Sequence, residues 1–531
     1  MNSGVVIRKS HVAQFAAACG DRNPLHLNSR YSRTTPFGQP VVHGVLAAIA
    51  CLTRLDASAL AQFQELRLDF HHPVLPATAY KIQVEAEEQK TAVRLLLGDM
   101  VVLSAICAKR VSVVDSRTSG QTWTADLLHA DLRDPWRSKA RTLDAGTLPI
   151  LGLEHGSYGV DVCRMRTLLE QIGGESMPFH IVSVLSWASY WTGMHTPGRD
   201  ALLGQVVVRL NRIAASPTCA DSAHSLYRVE PPSFHRRTGL VTIEARVLLS
   251  EWAADITVES LLRQRAPQAT CESVARHLSP SDELVNKFMV VIGGSRGLGR
   301  AITLALVQLG ATVLVVHRRS LERVTEMRHD AGQNGHRILS VACDAADGAA
   351  LYAALDAQAI AIDGLILAAA PVIPSLPFHL STINPSLRYL ERAVRLVWAP
   401  LAACASRLKD GATLVVLSSE AVEEPPVLWP HYVSAKMAIE GLARHAAKQR
   451  PWHVIIVRPS RLWTELTSGP TGAIGTTPVE LIASHIASRL ATCQSWNGNA
   501  SLARQATVLS TSDISSPVPL LLRKDEEHAE Y

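Results

Sequence analysis

No C-x-x-C pair occurs in this sequence. The nine cysteines, at 19, 51, 107, 163, 219, 271, 343, 404 and 493, are odd in number and loosely spaced. That is the pattern of reduced thiols serving as small core residues in a cytoplasmic protein, and no metal centre is expected. No hydrophobic signal segment precedes them, and no apolar stretch approaches the roughly eighteen residues that cross a bilayer. A membrane role is therefore not expected, and any substrate would be met in the cytosol. Runs of five or more like charges are also missing. The net charge is only +5 over 531 residues, which gives no reason to expect nucleic acid.

What is present is a folded globular composition, 47% hydrophobic and 19% charged. The length exceeds one ordinary core and suggests about three to four domains. Residues 1–112 open with an irregular polar stretch. They then carry a short apolar helix over Val45–Leu55 and strand-like runs at 64–72, 79–87, 91–97 and 100–107, an α+β arrangement. Residues 113–148 are polar and weakly periodic and read as a linker. Residues 149–278 repeat the first pattern in element order. A helix runs through Val182–Met194, Pro197-Gly198 stops it, and strand-like runs follow at 203–211, 224–230, 239–249 and 255–262. Two copies at this spacing imply a tandem pair of small units packed together. Residues 285–510 alternate apolar runs with helical stretches, the rhythm of an α/β doubly wound parallel sheet of Rossmann type. Residues 511–531 form a polar tail.

In the last large region the apolar run Phe288–Ile292 leads into Gly293-Gly294-Ser295-Arg296-Gly297-Leu298-Gly299 and then a helix. Glycines let the backbone approach a pyrophosphate, and a helix N-terminus supplies amide donors. His317-Arg318-Arg319 follows the second strand, where an acidic residue would suit the ribose hydroxyls of NAD. Arginines suit a 2′-phosphate instead, and Arg296 could join them. Ser418-Ser419 ends a strand, and Tyr432-Val433-Ser434-Ala435-Lys436 comes thirteen residues after Ser419. A tyrosine and a lysine four apart share one helix face.

These motifs, in this order, resemble the short-chain dehydrogenase/reductase family over about 220 residues. The resemblance implies a ketoreductase using NADP(H). Ser419, Tyr432 and Lys436 would be its catalytic set. Gly293, Ser295, Arg296, Gly297, Leu298, Gly299, Arg318, Arg319, Asp344, Lys436 and Thr464 would be its cofactor contacts. Tyr432 would give its proton to a carbonyl oxygen, Ser419 would polarise that carbonyl, and the Lys436 ammonium would lower the tyrosine pKa. The sequence departs from the family at Ile292, at Leu367–Ala370, at Pro459-Ser460, and at Arg395, which falls where an asparagine often supports the proton relay.

Near the N-terminus, Cys19-Gly20-Asp21-Arg22-Asn23-Pro24-Leu25-His26 is followed by Phe37-Gly38-Gln39-Pro40-Val41-Val42-His43-Gly44. Taken singly, these residues read as turn and cap positions. Together they resemble the MaoC-like, R-specific enoyl-thioester hydratases of the hotdog fold, over about 110 residues. The resemblance implies that Asp21 and His26 move protons as water crosses an α,β double bond. Asn23 would orient the pair, His43 would stand in support, and the Gly44 amide would hold the enolate oxygen at a helix N-terminus. Residues 149–278 lack the motif and read as a degenerate second hotdog unit that supports the first, its strands extending the first sheet or covering its edge.

The fold class expected is thus tandem α+β hotdog units followed by an α/β doubly wound sheet. The function expected is reduction of a β-ketoacyl thioester and then dehydration of its product. Acyl-CoA or an acyl carrier protein would present the substrate, and a homodimer is expected. The same residues leave open the reverse direction, hydration then oxidation. They also leave open a hotdog half that binds acyl groups without turning them over.

Overall fold

The computed structural model describes residues 3–109, 139–213, 224–356, 361–467, 474–495 and 506–511. The linker read at 113–148 and the tail read at 511–531 fall largely outside these residues. Chain contacts divide the protein into two units. One holds Met1–Arg265 with Val372–Thr382, and the other holds Ala266–Pro371 and Ile383–Thr467 with the C-terminal segment.

In the first unit, the stretch read as irregular and polar forms β1 (Ser3–Val6) and a helix, α1 (Lys9–Cys19). Val12, Phe15, Ala16 and Cys19 recur at helical spacing and are all buried, and Gly20 ends the helix at φ 80°. The central helix α2 (Gly44–Leu52) follows, with every residue from Val45 to Leu52 buried. A helix apolar on all sides must be wrapped on all sides. Here the wrapping begins with β2 (Glu65–Phe70), β3 (Ala79–Ala86), β4 (Lys90–Leu97) and β5 (Met100–Ala108). Alternation along these strands puts one set of side chains against α2, as in the buried Leu66 and Leu68 of β2.

The second half repeats the plan. Its central helix α3 (Phe179–Tyr190) continues as one π-helical turn, Trp191–His195, and both are buried. Its strands are β6 (Glu154–Gly159), β7 (Ala201–Arg212), β8 (His224–Val229), β9 (Ser233–His235), β10 (Leu240–Leu249) and β11 (Trp252–Leu262). One eleven-stranded sheet results, in the order β1-β3-β4-β5-β2-β7-β11-β10-β8-β6, with β9 beside β10. The second set of strands extends the first sheet through the antiparallel pair β2–β7, in register from Glu65↔Arg209 to Asp69↔Gln205. Side chains reinforce the seam, with Arg209 Nε 2.9 Å from Glu65 Oε2 and Gln205 Nε2 donating to Asp69 Oδ1 at 2.7 Å. Such cross-strand pairs contribute on the order of 0.2–1 kcal/mol each.

The second unit is a seven-stranded parallel sheet. Its strands are β12 (Phe288–Ile292), β13 (Thr312–His317), β14 (Ile338–Ala342), β15 (Ile362–Leu367), β16 (Leu408–Leu417), β17 (His453–Arg458) and β18 (Ala506–Ser510). They lie in the order β14-β13-β12-β15-β16-β17-β18. Central strands such as β15 are buried at every position, which is why they read as unbroken apolar runs. Helices α4 (Gly297–Gln308), α5 (Ile383–Cys404) and α6 (Pro430–Gln449) carry or flank the motifs. The strand order reverses between β12 and β15, so the glycine turn after β12 and the segment after β15 flank the switch-point crevice. Residues 266–278, read as the end of the second hotdog unit, belong with this sheet instead. The Ala269 carbonyl accepts from Arg300 Nε at 2.7 Å, which ties the segment to α4.

Candidate active sites

The glycine turn is shaped by what it cannot hold. Gly293 has φ +82°, and a Cβ there would lie 2.9 Å from the Ala369 backbone. A Cβ on Gly299 would run into the Gly293 carbonyl. Ser295 and Leu298 are buried, Gly297 opens α4, and Thr464 stands against Gly297. This backbone cradle, with amides at a helix N-terminus, fits a dinucleotide pyrophosphate. Arg318 and Arg319 are exposed at the end of β13. Arg296 pairs with Glu465 at 3.4 Å, and Glu465 also takes Arg323 at 2.7 Å. Asp344 accepts from Arg392 at 2.7 and 2.9 Å and lies 3.9 Å from Arg318. Burial alone would raise this carboxyl, but the Ala346 amide and the two arginines hold it below its usual range.

Ser418 and Ser419 part company at the end of β16. The Ser418 hydroxyl is buried and donates to Glu440 Oε1 at 2.7 Å. Ser419 takes the Ala421 amide at 3.2 Å and hydrogen-bonds Tyr432. Lys436 Nζ donates to the Leu417 carbonyl at 2.7 Å and lies 5.6 Å from the centre of the Tyr432 ring. Ser419, Tyr432 and Lys436 are therefore together. The electrostatics differ from expectation at one point. Burial pushes the Tyr432 phenol up, and Ser419 is what opposes it. No lowering by Lys436 accompanies it, and the Lys436 ammonium is committed to the Leu417 carbonyl. Burial brings Lys436 itself down to about 8 against the pull of Glu440. Arg395 faces solvent in an exposed pair with Glu391 and takes no part here.

At the other site, Gly20 turns the chain out of α1, so that Asp21 and Asn23 are buried to 2% exposure. Asn23 then caps the short helix Pro24–Leu27 that carries His26. The His26 and His43 rings stack at 3.7 Å between centroids, and His43 Nε2 is 3.1 Å from the Asp21 carbonyl oxygen. His26 Nδ1 bonds the Val41 carbonyl at 2.9 Å, which leaves Nε2 for other work. One side-chain atom from each of Asp21, His26 and His43 lies within 4.8 Å of the others, close enough for one water molecule to touch all three. Burial pushes Asp21 up, with His26, Ser189 and the Asn23 amide opposing. His26 falls to about 3 through burial and its neighbour His43, and His43 falls to about 3 through burial. Gly44 opens α2, and a Cβ there would come within 2.8 Å of the Phe70 ring.

Comparison with known proteins agrees with both halves. Residues 2–102 match the model of the MaoC like domain, and residues 287–469 match that of the short chain dehydrogenase. A 3-hydroxybutyryl-CoA dehydratase of Methylorubrum extorquens is 34% identical over 108 residues, 18% of this chain and 68% of that protein. The chain is a MaoC-like domain fused to a short-chain dehydrogenase. An NADPH-dependent aldehyde reductase 2 of Arabidopsis thaliana is 27% identical to it over 191 residues, 32% of this chain and 69% of the relative. A solved dehydrogenase/reductase from Sinorhizobium meliloti 1021 is 24% identical, covering 45% of this chain and 98% of its own, with a TM-score of 0.39.

Sequence reasoning missed several residues of this fusion. In the dehydrogenase domain, Glu440 sits one turn after Lys436 and binds Ser418, Arg458 at 2.7 Å twice and Arg444 at 3.1 Å. The i+4 spacing from Lys436 was the available signal. Tyr389 and His431 also pack edge-on at 4.6 Å, both buried. In the MaoC-like region, Ser189, Gly193 and Gly198 reach Asp21 and Asn23 from the second half, and no motif marks them.

Proposed function

We propose that the protein reduces a β-ketoacyl thioester with NADPH and then dehydrates the β-hydroxyacyl product to a trans-2-enoyl thioester. One observation carries the reading. A Ser419/Tyr432/Lys436 set and a buried Asp21 beside a half-buried His26 occur on one chain, and the product of the first chemistry is the substrate of the second. At the reductase site NADPH, when bound, supplies hydride to the carbonyl carbon. Tyr432 gives its hydroxyl proton to the carbonyl oxygen, Ser419 hydrogen-bonds that oxygen, and Lys436 would hold the ribose of the cofactor. At the hydratase site His26, neutral at working pH, takes the α-proton. Asp21, pushed toward its protonated form, gives a proton to the departing hydroxyl, and the Gly44 amide holds the thioester oxygen as charge builds on it.

The dehydratase named among the relatives acts on a CoA thioester, which supports acyl-CoA or an acyl carrier protein as the presenting group. The reductase relative named as NADPH-dependent supports NADP(H), as do Arg318 and Arg319. Replacing both arginines with alanine is expected to raise KM for NADPH roughly tenfold or more, since hydrogen bonds between charged groups are worth about 1.5–3 kcal/mol. KM for NADH should hardly move, and equal changes for both cofactors would remove the 2′-phosphate assignment. Among the described residues no helix is long and apolar enough to cross a membrane, and a cytoplasmic site of action is proposed. Exposed apolar side chains on α5 and α6, Ile383, Leu387, Trp398 and Met437, support a homodimer. Trp398→Glu should convert it to monomers in light scattering, and an unchanged mass would refute this face.

The test of the whole reading is NADPH oxidation with acetoacetyl-CoA and with a longer β-ketoacyl-CoA, the products separated by chromatography. Enoyl product supports both sites. A reaction that halts at the hydroxyacyl product would reduce the hotdog half to an acyl-binding module.

A further inference from the structure

The hydratase motif lies wholly within residues 19–44, yet two of its buried polar side chains, Asp21 and Asn23, are not held by the first half alone. Each oxygen of the Asp21 carboxylate has its own neighbour. Oδ1 accepts from the Asn23 amide at 3.1 Å, and Oδ2 accepts from the Ser189 hydroxyl at 2.7 Å. Ser189 belongs to the last turn of α3 in the second half and is itself 5% exposed. One turn further on comes Gly193, where a Cβ would overlap Asp21 Oδ1. Asn23 is equally committed. Its Oδ1 caps the Leu25 amide at 2.9 Å, and its Nδ2 donates to the carbonyls of Gly193 at 3.0 Å and Gly198 at 3.1 Å. With both amide protons and the oxygen engaged, the side chain has a single orientation.

The backbone that makes this possible is unusual. Residues 191–195 form a π turn, a widened turn often found at functional sites, and Gly198 has φ +79°. Beyond it, Asp200 is buried and accepts from the Tyr31 hydroxyl at 2.9 Å, Arg263 at 2.5 Å and Arg265 at 2.6 Å. Tyr31 lies on the far side of the same catalytic loop. The strap from Ser189 to Asp200 is thus fastened to the Asp21–Tyr31 loop at both ends.

We infer that the second hotdog half, which lacks the hydratase motif, nevertheless completes the hydratase site: Ser189 and Gly193 are positioning residues that fix the Asp21 carboxylate, and the Gly193 and Gly198 carbonyls fix Asn23. This rests on the reading of Asp21 as an acid–base group. The groups facing Asp21 are His26, His43, Asn23 and Cys19 from the first half and Ser189 from the second.

The test uses the full chain, with 3-hydroxybutyryl-CoA and a longer 3-hydroxyacyl-CoA as substrates. Ser189→Ala should lower kcat for dehydration about 10- to 100-fold with little change in KM, as expected for misaligned catalytic groups. The limb of the pH profile that titrates Asp21 should move to higher pH, because a hydrogen bond to the ionised carboxylate has gone. Gly193→Ala should cost about 100-fold or more, since its Cβ must displace the carboxylate. β-Ketoacyl reduction by the same preparations should stay at the wild-type rate, and the far-UV circular dichroism and both thermal transitions should match wild type, which shows that the unit carrying Ser189 and Gly193 is folded in each variant. Dehydration within about threefold of wild type in both variants, with an unshifted pH profile, would overturn the inference and leave the second half as scaffold. An Asp21→Asn arm separates the two readings. If that variant keeps full dehydration, the acid–base role of Asp21 falls and the inference falls with it. If it is inactive while Ser189→Ala and Gly193→Ala are normal, only the inference fails.

Discussion

Tyr432→Phe is expected to cut β-ketoacyl reduction by about 10²- to 10⁴-fold, the usual worth of a positioned proton donor. It should leave dehydration of a supplied 3-hydroxyacyl thioester untouched. The change removes one oxygen from a partly buried ring and keeps the ring itself, so folding should be unaffected. The loss should fall on kcat, because the proton is transferred only as the carbonyl accepts hydride. Burial pushes the Tyr432 hydroxyl up and Ser419 only partly opposes it. The wild-type enzyme should therefore hold its proton through neutral pH, and reduction should fade only on the alkaline side. Lys436, brought down to about 8 by burial, loses its charge on that side as well, so both groups shape the alkaline limb. The measurement is NADPH consumption against pH for wild type and variant. A variant that retains more than about a tenth of the wild-type rate would remove Tyr432 from the role of proton donor.

The second large effect is expected from Asp21→Asn. Asparagine keeps the shape of the side chain and removes its titration. Dehydration should fall by about 10²- to 10⁴-fold, while ketone reduction continues and β-hydroxyacyl thioester accumulates. Chromatography of a reaction started from the β-ketoacyl thioester reads both at once. The same substitution should raise thermal stability at neutral pH. Burial raises the Asp21 pKa in the folded state, so this group's contribution is fully present below its unfolded pKa and is lost as pH rises through the folded value. Asparagine removes that loss. A lower melting temperature at neutral pH would mean that the ionised carboxylate is stabilising here.

Much of this was legible from short motifs because each combines several unlikely requirements. Gly293, Gly297 and Gly299 lie at and just before the start of a helix where the backbone must admit a pyrophosphate, and the Tyr432/Lys436 spacing matches one helical turn. The Val45–Leu52 run is apolar on every side and had to be a core helix. Other parts were hidden for physical reasons. Helix α1 begins with Lys9, Ser10 and His11, which mask the apolar face that Val12, Phe15 and Cys19 form. Residues 266–278 resemble nothing in particular until Arg300 is seen to bind the Ala269 carbonyl. Ser189 and Gly193 act on Asp21 from about 170 residues away, and a serine and a glycine near the end of an apolar helix carry no message of their own. The Tyr432 environment could not be read either, because burial and the direction of the Lys436 ammonium belong to the fold and not to the spacing.

The β2–β7 ladder has a consequence for anyone who would take the protein apart. A fragment ending after β5 would leave β2 as a raw edge. Its amides and carbonyls from Glu65 to Asp69 would be free to recruit any passing strand. In a protein made of separate identical subunits, such an edge is closed by finding a partner, and activity falls on dilution. Here the partner strand is tethered on the same polypeptide, so the closure is first order and the hydratase site should keep its integrity at concentrations where a dissociating assembly would come apart.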